Sequence, residues 1–129
     1  MTFPKPGEPV RGSRTGRPIM ALLDLLGRRM ALRVLWELFC AKAPLTFRAL
    51  QDAAGTNPAL LNTRLKELRA AKLAVHRGDG YALSEEGQTL VVLLLPVTQW
   101  ADRWAAGFDE PPESFTSSSR GGLGRRGDP

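Results

Sequence analysis

The chain has 129 residues, of which 43% are hydrophobic, and a formal net charge of +5. This length suits one domain with tails, and the basic balance favours a polyanionic partner. The single cysteine, Cys40, and the single histidine, His76, exclude an intramolecular disulfide and a metal site built from these two residue types. No metal or cofactor is therefore expected. No set of acid, base and nucleophile is apparent either, which argues against an enzyme.

Most of the excess positive charge lies towards the ends of the chain. Residues 1–17 carry a net +3 and residues 111–129 a net +1, which leaves +1 for residues 18–110. The longest apolar run, residues 90–97, is too short to span a bilayer. The N-terminus shows no signal-peptide pattern, so we expect a cytoplasmic protein with no membrane partner.

The composition divides the chain into a domain and two tails. Residues 1–17 are rich in proline, glycine and arginine and are predicted to form a disordered basic tail. The domain is predicted to span residues 18–107, and residues 108–129 are predicted to form a disordered Ser/Gly/Arg tail. A first amphipathic helix is predicted to begin at Pro18, a favourable first-turn residue, and to end at Gly27.

A second helix is predicted from about residue 28 to residue 40. Its apolar residues recur at helical spacing and are expected to form the buried stripe. The residues of this stripe are Leu32, Leu35, Trp36 and Phe39. Cys40 is expected on the buried side as a small core filler, with a thiol sensor as the alternative.

Two short helices follow with very little chain between them. Thr46 is predicted to cap a helix over residues 47–54, which ends at Gly55. Asn57 is predicted to cap the next helix, which starts at Pro58 and reaches about residue 72. A separation of only three residues is typical of a helix-turn-helix.

A β-hairpin and a long helix are predicted next. Residues 73–77 and 81–83 have strand character and flank a glycine-containing turn at 78–80. A hairpin directly after a helix-turn-helix is the wing of a winged-helix domain. Ser84 is predicted to cap the last helix, which extends to about residue 106.

The fourth helix has two chemically different sides. Leu61, Leu65 and Leu68 fall on one face at helical spacing. Small, polar or basic residues project from the other side, as in a helix that enters the major groove of DNA. These residues are Ala59, Asn62, Thr63 and Lys66.

The side chains on that outer face have chemistry suited to base edges and phosphates. Asn62 can pair with adenine, Thr63 can donate to a base or a phosphate, and Lys66 suits guanine or a phosphate. Ala59 permits close approach, and Asn57 marks a helix N-terminus that can hold a phosphate. The alternative is that these are ordinary solvated residues. Further candidate DNA contacts are Arg64, with bracing of the helix as its alternative, and Arg48, Arg77 and His76.

The last helix is predicted to mediate self-association. Its apolar residues alternate at spacings of three and four, as in a coiled-coil seam, and its early part is apolar almost all round. The alternative is that packing within one chain covers all of them. The predicted dimer interface consists of Leu90, Leu93, Leu94, Val97, Trp100 and Trp104, with Ile19, Leu22 and Leu26 from the first helix.

The order of these elements and several motifs resemble the HxlR-type winged-helix transcriptional regulators. The resemblance covers roughly residues 18–104. It departs at Arg17, where members often carry a redox-sensing cysteine, at Met30, where an aromatic residue is usual, and in a shorter wing. The motifs that carry it are Leu23-Asp24-Leu25-Leu26-Gly27 with Arg29, Leu35 with Glu37-Leu38, Leu45-Thr46-Phe47 with Leu50, Asn57-Pro58 with Leu61, Arg64-Leu65-Lys66-Glu67-Leu68, Leu83-Ser84-Glu85-Glu86-Gly87-Gln88-Thr89-Leu90, and Trp100.

The resemblance implies a mainly α fold with a small β-hairpin wing, in which the N-terminal helix and the long C-terminal helix form a dimer interface. It also implies a cytoplasmic homodimer that binds operator DNA as a repressor or activator. A two-fold dimer would place two recognition helices about one DNA turn apart, so the operator is expected to be palindromic. The competing hypothesis is a winged-helix module used only for protein–protein assembly. The sequence identifies no small-molecule effector.

Overall fold

The computed structural model describes residues 3–108 of the chain. The described part contains five helices and one antiparallel hairpin, so the predicted fold class, mainly α with a small β wing, is confirmed. No described helix has both the length and the hydropathy needed to cross a membrane. The elements are α1 (Pro18–Leu26), α2 (Ala31–Cys40), α3 (Phe47–Ala54), α4 (Pro58–Ala70), β1 (Ala74–Arg77), β2 (Gly80–Leu83) and α5 (Glu85–Ala106).

The chain forms two compact units, which divide within α5 between Val91 and Val92. The first unit holds the hydrophobic core, to which α1 to α4, both strands and the start of α5 contribute. The largest fully buried side chains of this core are Val34, Leu35, Leu50, Leu61 and Leu68.

Local sequence signals account for the beginnings of two helices. The Thr46 hydroxyl accepts a hydrogen bond from the Ala49 N–H at 3.1 Å and caps α3. The Ser84 hydroxyl accepts one from the Gly87 N–H at 3.0 Å at the start of α5. These hydrogen bonds confirm both predicted caps. In each, a side-chain oxygen accepts from an N–H that has no partner within its own helix.

The second helix differs from its prediction in its first residue and in its buried face. It begins at Ala31 instead of residue 28, because Met30 has a left-handed backbone (φ 71°) that helical geometry excludes. Leu32 and Trp36 are 47% and 43% exposed, so these two are wrong members of the predicted stripe, whereas Leu35 is buried and Phe39 is half-buried. The buried residues of α2 are Ala31, Val34, Leu35 and Leu38.

Cys40 is exposed, so its predicted place among core residues is wrong. It lies one helical turn after Trp36, on the side of α2 that the core leaves uncovered. The buried face of the helix is centred instead on Val34 and Leu38.

Residues 3–17 were expected to be disordered, but the structure gives them a defined fold. The Gly7 N–H donates to the Gly16 carbonyl at 2.9 Å, and Val10 and Ser13 exchange two backbone hydrogen bonds. Gly7, Gly12 and Gly16 have positive φ angles, which allow the chain to reverse direction twice. A proline- and glycine-rich composition therefore serves here for tight turns. The predicted tail at 108–129 lies, apart from Phe108, outside the described residues.

The hairpin is short and is fixed by its turn and by a third segment. Gly78 has φ 63° at the first position of the two-residue loop, which joins Arg77 to its partner Gly80. Leu45, before α3, exchanges two backbone hydrogen bonds with Tyr81 of β2, at 2.7 and 2.9 Å. The wing is thus tied to the chain that leads into the helix-turn-helix.

Candidate nucleic-acid interface

The two helices of the helix-turn-helix are joined by residues 55–57. Gly55 ends α3 in a left-handed conformation (φ 68°), and its N–H donates to the Gln51 carbonyl. Asn57 begins α4: its Oδ1 accepts from the Leu60 N–H at 2.8 Å. The predicted link and cap are confirmed. The Asn57 side-chain oxygen is engaged in capping, Pro58 has no N–H, and the Leu61 N–H already donates to the Asn57 carbonyl. What this end of α4 can offer an anion is therefore the Asn57 Nδ2 group and the Ala59 backbone N–H.

We expect Asn57→Ala to lower the free energy of unfolding by about 1 kcal/mol, because it removes the acceptor for the Leu60 N–H. Urea denaturation measures the change. The control is Asn57→Ser, which keeps a capping oxygen and is expected to stay within a few tenths of a kcal/mol of the wild type. Equal stability of Asn57→Ala and wild type would contradict the capping role.

One face of α4 is packed into the first unit. Leu61 and Leu68 are fully buried and Leu65 is 2% exposed, which confirms the predicted leucine stripe. This burial fixes which side of the helix faces away from the core.

The opposite side of α4 is open. Ala59, Asn62 and Lys66 are exposed, and the Asn62 and Lys66 side chains make no hydrogen bond or salt bridge to any other residue between 3 and 108. An amide and an ammonium one turn apart, beside a methyl group, are therefore available to an external partner. This face, Ala59 with Asn62 and Lys66, is called the outer face below.

Two candidates on α4 have different surroundings from those predicted. The half-buried Thr63 donates its hydroxyl hydrogen to the Ala59 carbonyl at 3.1 Å, so its oxygen can only accept from a further partner. Arg64 turns inward: its Nε donates to the Arg29 carbonyl at 2.8 Å and its Nη1 donates to Glu67. These internal contacts agree with the alternative, bracing of the helix, and a DNA contact by Arg64 stays a prediction.

The remaining basic candidates lie outside α4. Arg77 is exposed at the end of β1, and Arg48 is exposed in the first turn of α3. Neither forms a salt bridge within residues 3–108. The exposed His76 stacks edge-on against Tyr81 across the hairpin, with ring centroids 4.8 Å apart.

An open groove runs between the second half of α4 and β1. Lys66, Arg69 and Ala70 line it on the helix side, and Ala74, Val75 and His76 line it on the strand side. Two cationic side chains and an imidazole thus face a channel beside the outer face of α4. The sequence prediction omitted Arg69, although its position three residues after Lys66 was a usable signal.

The predicted self-association residues on α5 are largely exposed. Trp100 and Trp104 stack with ring centroids 5.8 Å apart, and Trp104 meets Phe108 edge-on at 5.3 Å. Leu93, Val97, Trp100 and Trp104 are each more than half exposed, whereas Leu90 and Leu94 are half-buried.

The three α1 residues predicted to extend this interface differ in how far their side chains are exposed. Ile19 is 57% exposed and Leu22 is half-buried. Leu26 is only 8% exposed and belongs to the core, so its predicted interface role is wrong. Leu26 is the last residue of α1, and residues 27–30 join it to α2. Among residues 3–108 no group of acidic, histidine or cysteine side chains is arranged to hold a metal ion.

Comparisons with known proteins give matches among solved structures. One is a possible HxlR family transcriptional factor from Thermoplasma volcanium GSS1, with a TM-score of 0.60 and 24% identity over 68% of this chain and 84% of that one. Another is quinone-bound YodB from B. subtilis, with a TM-score of 0.61 and 24% identity over 67% of this chain and 96% of that one. No protein-family model and no curated protein matches the sequence.

These similarities establish the architecture of the chain. Each covers about two thirds of it and most of the other protein. The order of helices, the hairpin after the helix-turn-helix and the long last helix are those expected from the sequence resemblance. The chain therefore has the winged helix-turn-helix fold that these two proteins share.

Proposed function

We propose that the protein is a sequence-specific DNA-binding transcriptional regulator. The observation that carries this proposal is the outer face of α4, where Ala59, Asn62 and Lys66 are exposed opposite a fully buried leucine face. A helix anchored on one side and open on the other can enter the major groove, where an amide reads adenine and an ammonium reads guanine. Such a regulator acts in the cytoplasm, the location expected from the sequence.

The surroundings of α4 supply groups for the DNA backbone. Lys66, Arg69 and His76 line the groove between α4 and β1, and Arg77 is exposed beside it in the wing. Two cationic side chains on the helix side of this groove, with Arg77 exposed on the adjoining strand, suit a phosphate strand, which positions the protein on the duplex without carrying sequence information. A module used only for protein assembly has no need of this arrangement.

The neighbours of known structure agree with this proposal. One of them is described as a possible transcriptional factor. The winged helix-turn-helix serves many chemistries, so the fold contributes less to the proposal than do the residues of the outer face.

We further propose that the protein acts as a homodimer through α5. Leu93, Val97, Trp100 and Trp104 leave an apolar strip exposed over three helical turns. Exposed apolar strips of this kind mark association surfaces, and the alternating spacing of three and four suits a second helix. Ile19 of α1 is a further exposed apolar candidate. A two-fold dimer would bind a palindromic operator with half-sites about one turn apart.

We expect Trp100→Ala to raise the dissociation constant of the dimer by at least about tenfold. The reason is that a large aromatic side chain in an interface commonly contributes about 2 kcal/mol or more to binding. Sedimentation velocity over a micromolar concentration series measures the effect. The control is Thr98→Ala, since Thr98 donates to the Leu95 carbonyl of its own helix and lies off the strip. A wild-type monomer throughout the series would contradict the dimer.

Selection of duplexes from a random library by the full-length protein tests the proposed function. We expect an enriched, imperfectly palindromic sequence. Its affinity should exceed that of a scrambled duplex of the same composition by about a thousandfold or more. Binding to both duplexes should weaken with added salt, because phosphate contacts release counterions. No enriched sequence and no salt-dependent binding would overturn the proposal in favour of a protein assembly module.

A further inference from the structure

Glu67 is the only buried polar or charged residue among residues 3–108, with 4% of its surface exposed. It lies on α4, one residue after Lys66, on the side of the helix that faces away from solvent. The proposed DNA contacts make no use of it. An ionised side chain held in a protein interior requires partners, and here the partners come from two parts of the chain.

Both carboxylate oxygens of Glu67 accept hydrogen bonds from arginine. Nη1 of Arg28, in the turn between α1 and α2, donates to Oε2 at 2.7 Å, and Nη1 of Arg64 donates to Oε1. On its other side Arg28 lies beside Asp24, with Nε 3.8 Å from Oδ1. Two carboxylates and two guanidinium groups give the cluster no net charge, which makes its burial tolerable.

A second contact joins the same turn to α4. Nε of Arg64 donates to the Arg29 carbonyl at 2.8 Å. The next residue, Met30, has a left-handed backbone with φ 71°. Two side chains of α4 therefore hold a turn whose backbone conformation is unfavourable for a residue with a side chain. The contacts of Arg28 and Arg64 with Glu67, and of Arg64 with the Arg29 carbonyl, are called the bridge.

The leucine face and the bridge constrain α4 in different ways. Apolar burial by Leu61, Leu65 and Leu68 is non-directional, so it selects the buried side of the helix without favouring one angle as sharply as a hydrogen bond does. Hydrogen bonds weaken steeply as their angles depart from linearity. A rotation of about 20° moves a side-chain tip at the helix surface by about 2 Å, which is enough to separate an amide from a base edge.

We propose that Glu67 is a positioning residue for DNA recognition. Through the bridge it sets the rotation of α4 against the turn between α1 and α2, and so aims Asn62 and Lys66 at the bases. This proposal rests on the proposed function, because it assigns Glu67 a role only if the outer face of α4 reads DNA.

Glu67→Gln and Arg28→Gln test the proposal as a pair. The first makes the protein more positive by one charge and the second makes it less positive by one, so a purely electrostatic effect on DNA affinity would have opposite signs in the two variants. Loss of positioning has the same sign in both. The matched control is Glu37→Gln, which breaks an exposed pair with Arg33 in which Nε lies 2.9 Å from Oε2.

The readout is discrimination, defined as the dissociation constant for a scrambled duplex divided by that for the selected duplex. We expect both bridge variants to lose about tenfold or more in discrimination, and Glu37→Gln to keep it. A merely structural role would reduce the fraction of folded protein and leave the ratio unchanged. Unchanged discrimination in both bridge variants, with circular dichroism showing folded protein, would overturn the proposal.

Residual dipolar couplings provide a readout that needs no DNA. In folded Arg28→Gln, which keeps the Arg64 contact with Glu67, we expect the Cα–Hα couplings of α4, whose bonds project away from the helix axis, to report a changed rotation of α4 relative to α2 and α3. An unchanged orientation overturns the bridge even if the protein proves to bind DNA. A wild-type protein without sequence preference overturns the proposed function and, with it, the role assigned to Glu67, whatever the couplings show. The two failures are thus distinguishable.

Discussion

Joint replacement of Asn62 and Lys66 by alanine is expected to weaken binding to the selected duplex by about 2–6 kcal/mol, since a good contact to a base edge contributes about 1–3 kcal/mol. Both side chains are exposed and unengaged within the described part of the chain, so their removal leaves no buried group without a partner. The loss should appear in DNA affinity and leave the free energy of unfolding nearly unchanged. Fluorescence anisotropy with labelled selected and scrambled duplexes measures it.

The single variants separate the two kinds of contact. Asn62→Ala is expected to relax the preference at one base pair and keep the salt dependence, whereas Lys66→Ala should reduce the salt slope by about one if the ammonium contacts a phosphate. The matched control is Lys42→Ala, which removes the same charge from the exposed segment between α2 and α3. A double variant that binds the selected duplex as tightly as the wild type would show that α4 does not read DNA.

Gly87→Ala is expected to lower the free energy of unfolding by about 3 kcal/mol or more. A Cβ atom at this position would lie only 2.1 Å from the Leu73 carbonyl oxygen, which already accepts the Ser84 N–H at 3.0 Å. Helix propensity alone would favour alanine over glycine in α5 by about 1 kcal/mol, so the sign of the measured change decides between the two effects. Backbone cannot move aside as a flexible side-chain end can, and the steric term is therefore expected to dominate.

The consequence of Gly87→Ala should extend to the wing. The Ser84 hydroxyl also donates to the Lys72 carbonyl at 2.7 Å, so the start of α5 and the turn after α4 are held together at this point. Gly107→Ala is the control, because its Cβ would meet the Trp104 carbonyl oxygen at an ordinary 3.4 Å. Urea denaturation compares the two variants. A Gly87→Ala protein as stable as the wild type would contradict this close approach.

Features set by neighbouring residues could be predicted from the sequence. Thr46, Asn57 and Ser84 each cap a helix because the N–H that they bind lies three residues further along the chain. The leucine face of α4 was equally predictable, since polar residues occupy the other side of that helix and leave one choice of buried face.

Features set by residues far apart in the chain could not be predicted from the sequence. In α2 apolar residues occur nearly all round the helix, so the sequence allows two buried faces, and the core selects Val34 and Leu38 while leaving Trp36 exposed. The contact between Arg28 and Glu67 joins residues 39 positions apart, which no local pattern encodes.

In the N-terminal segment the structure differs from the prediction for another reason. Its composition is that of a disordered tail, but the Arg11 N–H donates to the Asp24 carboxylate at 3.1 Å and fastens the segment to α1. Composition describes how much apolar surface a segment can bury, and it gives no information about glycine turns that are completed by a partner on another element.

Methylation of the selected duplex by dimethyl sulfate tests the central claim most directly, because the reagent modifies guanine N7 in the major groove and adenine N3 in the minor groove. With saturating wild-type protein we expect guanine N7 to be protected in two clusters about one helical turn apart, and the protection to be lost with the Asn62→Ala/Lys66→Ala protein at the same concentration. A fully bound duplex in which every guanine N7 remains reactive would contradict insertion of the outer face of α4 into the major groove.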